Sequence, residues 1–235
     1  MSAEPVRRFY ASATAAEEGG AHIVRLDQRT LKTPSRKPLH MPTRALAAAI
    51  AAEWDAQGEY IAPAAMPLTR YAFAAIDLMP GKRQEIARDL AKYVETDLVA
   101  HRADAPPQLA ARQAEVWDPI VAWAEQRFHM RLPVVTGVIP ADIPPQHRTV
   151  LEWEIDDLDD FRATALAQAV TLAGSILIGF AFLEGELDAE AAFAAAALDE
   201  LWSLENWGED PEARARLDRQ RAEWRALQRF IVALG

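Results

Sequence analysis

The rhythm of apolar and polar positions changes once along this chain, near residue 42. Before that point, short β-inclined runs (Arg8-Phe-Tyr-Ala-Ser, His22-Ile-Val-Arg-Leu and Leu39-His-Met) are separated by Glu17-Glu-Gly-Gly and Asp27-Gln-Arg. Those separators are turn chemistry, and Gly19-Gly20 can take the positive φ that a tight hairpin requires. Lys32-Thr-Pro-Ser-Arg-Lys-Pro carries two prolines that cannot donate to a ladder, so it reads as a loop or an edge. A small antiparallel β unit is expected.

After Pro42 the apolar positions fall into helical spacing. Thr43 suits an N-cap for a helix over 44–57, with Leu46, Ile50 and Trp54 on one face and Gly58 closing it. Pro67 suits the first turn of a helix reaching Leu78, and Pro80-Gly81 reads as its stop. Further helices are expected over 82–101, 108–128, 146–154, 159–183, 188–206 and 210–234. Asp159 and Asp188 read as N-caps and Gly185 as a stop, while the Val- and Pro-rich stretch 133–145 has room for one short strand. The expected fold class is α+β. Residues 1–62 form a small N-terminal antiparallel β domain ending in a helix, and residues 63–235 a larger α-helical domain.

Composition narrows what such a chain does. At 235 residues, 51% hydrophobic and 26% charged, it can bury a core without covalent staples. It has no cysteine, which excludes disulfides and thiolate metal sites. Twenty-five basic against 35 acidic residues leave a net charge of -10, a field that repels phosphate backbones. The basic clusters are Arg7-Arg8, a diluted stretch over 29–37 and a segment over 214–229 interleaved with acids, so no nucleic-acid partner is expected. The first ten residues show neither a signal-peptide core nor a transit-type helix, which points to a cytoplasmic, bacterial-type location. Residues 163–183 are uncharged and just long enough to cross a bilayer. They are alanine-rich, contain Thr164, Gln168, Thr171 and Ser175, and lack an aromatic belt, so a buried helix and no integral membrane segment is the expectation.

Catalytic constellations are sparse. Gly81-Lys82 lacks the preceding glycine and following hydroxyl of a phosphate loop, and the five histidines show no metal-ligand spacing. All five histidines read as structural, with His101, four residues after Asp97, a candidate for an ion-paired helix end. Ser175 lies in Ala-Gly-Ser-Ile, not in a glycine-flanked elbow, and reads as a packing residue. Glu154, Asp156, Asp157, Asp159 and Asp160 are either an acid or metal nest or a helix start decorated with acids. Glu205, Glu209, Asp210 and Glu212 surround Asn206-Trp-Gly, which is either a surface recognition point or a Trp-anchored turn before an Asp N-cap. Trp54, Trp117, Trp123 and Trp153 read as core. Trp202 and Trp207 bracket Glu205 and read as groove-lining candidates. No cofactor, metal or catalytic residue is assigned. A carboxylate-based enzyme with an all-helical active site, with or without a metal, stands as the alternative to a binding protein.

Several stretches, taken in order, carry a resemblance. They are Arg8-Phe-Tyr; Leu26-Asp-Gln-Arg-Thr-Leu-Lys-Thr-Pro; Glu53-Trp-Asp-Ala-Gln; Ile61-Ala-Pro; and Met66-Pro-Leu-Thr-Arg. They continue through Tyr93-Val-Glu-Thr-Asp-Leu-Val, His101-Arg102, Arg112-Gln113 and Trp117-Asp118-Pro119. Gly174-Ser175, Asp199-Glu200-Leu201-Trp202 and Glu205-Asn206-Trp207-Gly208 complete the series. Together they resemble the chaperone family that assembles the catalytic sector of the F-type ATP synthase by escorting its α subunit. The resemblance implies a non-enzymatic protein that binds unassembled α subunit at a surface later covered by the β subunit; a monomer is expected. It also places the family's acidic positions on Glu205 and Asp210, which with Trp202 and Trp207 become the expected client contacts. Ser203-Leu204 departs from the more typical glutamine-containing step. Lys32 and Arg70 sit in family motifs, either touching the client or pairing with internal acids.

Overall fold

The computed structural model describes residues 6–208 and 210–235. Glu209, one of the junction acids, and the first five residues, on which the address reading partly rests, lie outside the described residues. Strands β1 (Ala13–Glu18), β2 (Ala21–Leu26) and β3 (Arg29–Thr30) form one antiparallel sheet in that order. Ala13 pairs with Leu26 and Glu18 with Ala21, so the hairpin closes over Gly19 and Gly20. Their φ values of 59° and 80° are what a two-residue turn of matching twist demands. Ile23, Val24 and Leu26 are buried, and helix α1 (Arg44–Asp55) packs against β1 and β2. The Thr43 hydroxyl caps α1 by accepting from the Leu46 amide at 3.1 Å, and Leu46, Ile50 and Trp54 are buried as the spacing predicts.

Two β-inclined runs do not become strands. Residues 8–12 precede β1, because the Arg8 guanidinium donates to the carbonyls of Tyr10 and Ala11 and draws the chain out of the ladder. Met41 joins the sheet only through an isolated bridge to His22.

Helix α2 (Pro67–Asp77) ends where expected, but Pro80-Gly81 is not its stop: both residues lie in the first turn of α3 (Met79–Ala91), where a proline's missing N–H costs nothing. The helix expected over 82–101 breaks into 3-10 turns at Lys92–Thr96 and Leu98–Ala100. Extended backbone at Asp97, whose side chain accepts from the Val99 amide, separates them. Strand β4 (His101–Arg102) pairs in parallel with β5 (Val135–Thr136), the short strand expected in the Val/Pro stretch. Helices α4 (Pro107–Phe128) and α5 (Pro145–Asp157) flank that stretch. The helix expected over 159–183 is two: α6 (Asp160–Ala173) stops at Gly174, φ 65°, and Ser175 restarts the chain by capping α7 (Ile176–Leu183). Ser175 is thus a cap as well as a packed residue. The helix over 188–206 likewise divides at Ala197 into α8 (Ala189–Ala196) and α9 (Leu198–Trp207). Asp188 caps α8 as expected, accepting from Ala191 at 2.8 Å. The last helix, α10, covers Pro211–Leu234.

The chain forms two compact units: residues 1–82 with 160–164 and 226–235, and residues 83–159 with 165–225. In the first, the sheet, α1 and α2 enclose Leu39, Leu46, Ile50 and Tyr71, and Tyr71 meets Phe230 edge-on at 5.4 Å. In the second, α4 and α7 enclose Trp117, Phe128 and Phe180, the two phenyl rings 5.0 Å apart. A β-carbon on Gly179 would come within 2.7 Å of Val170, which is the packing reason for that glycine. Residues 163–183 include buried Leu166, Val170, Ile176 and Phe180, and among the described residues no helix is long and apolar enough to cross a membrane. Trp153 corrects the core reading: it is 70% exposed, on the outer face of α5, whose buried residues are His147, Leu151 and Ile155.

Candidate functional site

Most of the motif residues turn out to bind one another. In the first unit the Glu53 carboxylate accepts from the amides of Leu68 and Thr69, each at 2.8 Å, and from the Thr69 hydroxyl. It thereby caps α2 from a distance, supplying the negative charge that a helix N-terminus favours. Gln57 donates to the Glu53 carbonyl and accepts from the Ala62 amide at 2.7 Å. Glu53-Trp-Asp-Ala-Gln and Met66-Pro-Leu-Thr are therefore two halves of one structural joint. Lys32 is exposed, and Arg70 is exposed with its guanidinium 5.9 Å from the Tyr71 ring.

The second unit repeats the pattern. Asp97 is 1% exposed and accepts from the amides of Val99, Ile176 and Leu177 and from the Ser175 hydroxyl, so it holds the N-terminus of α7. Burial outweighs these donors and pushes its carboxyl up to about 6. His101 is not its ion-pair partner: the imidazole Nδ1 lies 3.0 Å from the Gly137 carbonyl. Arg102 donates to Asp118 at 2.5 Å and stacks over Trp117, whose indole N–H donates to the Ala195 carbonyl at 2.9 Å. Gln113 is buried, donating to Asp199 at 2.7 Å and accepting from the Ala103 amide. Through Gln113 and Trp117, α4 grips α8 and α9.

At the far end of α9 the groups turn outward. Trp202 is buried against the helix, Trp207 is 77% exposed, and their rings meet at 90° with centroids 5.4 Å apart. Asn206 donates to the Trp202 carbonyl at 2.8 Å. Gly208, at φ 106° and ψ 163°, ends the helix in a backbone region closed to residues with a β-carbon. Asp210 then caps α10, accepting from the Glu212 amide at 2.9 Å, which satisfies the Trp-turn and Asp-cap description. Glu205 is exposed and paired with Arg112, whose two terminal nitrogens lie 2.5 and 3.3 Å from its oxygens. That guanidinium holds the carboxyl below its usual range, with Arg214 adding to the effect. The structure thus brings Trp202, Glu205 and Trp207 onto one helix end, with Asp210 just beyond the turn. It adds Arg112, which the sequence reading placed in a motif without a role.

The acids over 154–160 show a different character. Glu154 accepts both terminal nitrogens of Arg127, whose Nε donates to Glu184. Among the described residues no group of three or more His, Asp or Glu is placed to hold a metal ion.

The sequence profile of the ATP12 chaperone protein family matches residues 7–125, just over half of the chain. The chain belongs to the ATP12 chaperone family. Protein atp12, mitochondrial, of Schizosaccharomyces pombe is 25% identical over 215 residues, covering 86% of this chain and 74% of its own. The crystal structure of Atp12 from Paracoccus denitrificans is 43% identical, covers 98% of this chain and 99% of its own, and superposes with a TM-score of 0.92. The Agrobacterium tumefaciens protein Atu1473 is 36% identical, covers 97% and 86%, and gives 0.91. ATP12 membership makes this protein a chaperone of ATP synthase assembly and does not favour the carboxylate enzyme. The fold agrees, with a small N-terminal antiparallel sheet before a mostly helical remainder.

Proposed function

We propose that this protein binds the unassembled α subunit of the F-type ATP synthase through the α9–α10 junction. Glu205, Asp210, Trp202 and Trp207 form the contact, and the bound surface stays covered until the β subunit takes it over. The observation that carries this reading is the helix end itself. An indole 77% exposed stands two residues from an exposed carboxylate, and a large aromatic beside a fixed charge is the composition of an interface anchor. The buried Trp202 backs Trp207 and keeps its ring at a fixed angle. The protein works as a monomer in the cytoplasm by shielding the client, with no bond made or broken.

Purified protein mixed with aggregation-prone α subunit tests this by light scattering and co-elution. Capture and suppressed scattering are expected; unchanged scattering with no co-elution refutes it. Glu205→Lys is expected to abolish capture with the melting temperature preserved. Asp210→Asn retains the cap and removes the charge, so a loss of capture there isolates the electrostatic role from the structural one.

A further inference from the structure

Arg112 stands out because the fold has no evident need for the pair it makes. Helix α9 is already tied to α4 by the part-buried Gln113–Asp199 hydrogen bond, and α8 by the Trp117 indole. The Arg112 and Glu205 side chains, by contrast, are 40% and 53% exposed, and an exposed ion pair adds little to stability. Glu205 also sits in the last turn of α9, where the helix dipole disfavours a carboxylate, and that turn carries no basic residue of its own. The compensating charge comes from other helices: Arg214 of α10 adds to it, and Arg112 of α4 supplies a fork matched to both carboxylate oxygens. An acid placed against the dipole and then clamped in one orientation, in the helix turn that ends in an exposed indole, is arranged for a ligand.

We infer that Arg112 is a positioning residue of the client-contact site, fixing the Glu205 carboxylate so that its outward lone pairs receive a cation from the client. This deepens the proposed function and rests on it. The complementary client feature is a lysine or arginine flanked by an apolar side chain, the cation meeting Glu205 and the apolar group packing on Trp207. Charge favours that choice over an acidic client, since the chain carries a net charge of -10. Clamping removes the rotamer freedom that Glu205 would otherwise lose on binding, so the association is faster to form and slower to break than with a free carboxylate.

The test uses the intact protein and purified, unassembled α subunit. Arg112→Ala is expected to weaken capture about tenfold with the melting temperature held. Arg112→Lys, which keeps the charge but not the fork, should recover part of that loss. The exchange Arg112→Glu with Glu205→Arg rebuilds the tie between α4 and α9 but presents the opposite charge, and capture should stay lost. If Arg112→Ala captures as well as or better than the unmodified protein, or if the exchange restores capture, the pair is a structural tie and the inference is overturned. Failure of the underlying reading looks different: Glu205→Lys then captures normally as well.

Discussion

The joint around Glu53 and the junction around Glu205 both rest on a glutamate in the second half of a helix within a distinctive motif, yet they face opposite ways. Glu53 turns inward and spends its oxygens on two backbone amides and a hydroxyl of α2. Glu205 stays in solvent, held by a side chain whose own exposure is 40%. One carboxylate satisfies donors that would otherwise be orphaned, and its removal is a folding defect. The other satisfies nothing the backbone needs, so its removal leaves the fold intact and changes what the surface offers. A motif's distinctiveness in sequence is therefore silent on which of these two duties it serves; the direction of its hydrogen bonds decides.

The comparison can be pressed hardest at Asp97, the most inward of the motif acids. Asp97→Ala strands two amides at the start of α7 and one in the 3-10 turn that follows Asp97, and should cost about 3 kcal/mol at neutral pH, read by chemical denaturation. The same residue gives a pH signature. Its folded carboxyl sits at about 6, above the ordinary carboxylate value, so the folded state holds a proton that the unfolded state has already released. Stability from this group is present below pH ~4 and is lost as pH rises towards 6, flattening above it. Relative to Asp97→Asn, the unmodified protein should lose about 2 kcal/mol between pH 4.5 and 7.5, measured by urea unfolding at each pH. A flat difference places the carboxyl outside that range. Next in size, Glu53→Ala uncaps α2 and should cost about 1–2 kcal/mol in the same assay. Smallest on stability is Trp207→Ala, within about 0.5 kcal/mol for an exposed ring, while capture of α subunit falls severely. A large melting shift there would move Trp207 to the inward class and blur the contrast.

Local rules made the outline legible. The Gly19-Gly20 hairpin, the Thr43 and Asp188 caps and the buried face of α1 are near-neighbour effects, and each was readable from spacing. Breaks inside apolar runs were not. Ala163 to Leu183 reads as one helix until Gly174 takes a positive φ and Ser175 supplies a cap, and that restart is worthwhile because Asp97, nearly eighty residues earlier, arrives to hold the new helix end. Trp153 misled for a related reason: a large ring argues for burial, but α5 sinks its opposite face. Around the proposed site, the place of Glu205 near a helix end was legible while its ion-pair partner was not, since Arg112 lies 93 residues away. One signal was available all the same, an acid near the end of a helix with no local base to offset it.

Gly208 gives the junction a fragility of its own. Glu205 and Asp210 ride on different helices, and the angle between those helices passes through a torsion that alanine and every larger residue resist. Replacing that hydrogen with a methyl group would re-aim both acids at once, leaving each side chain chemically unaltered and the pair no longer in register with whatever it grips.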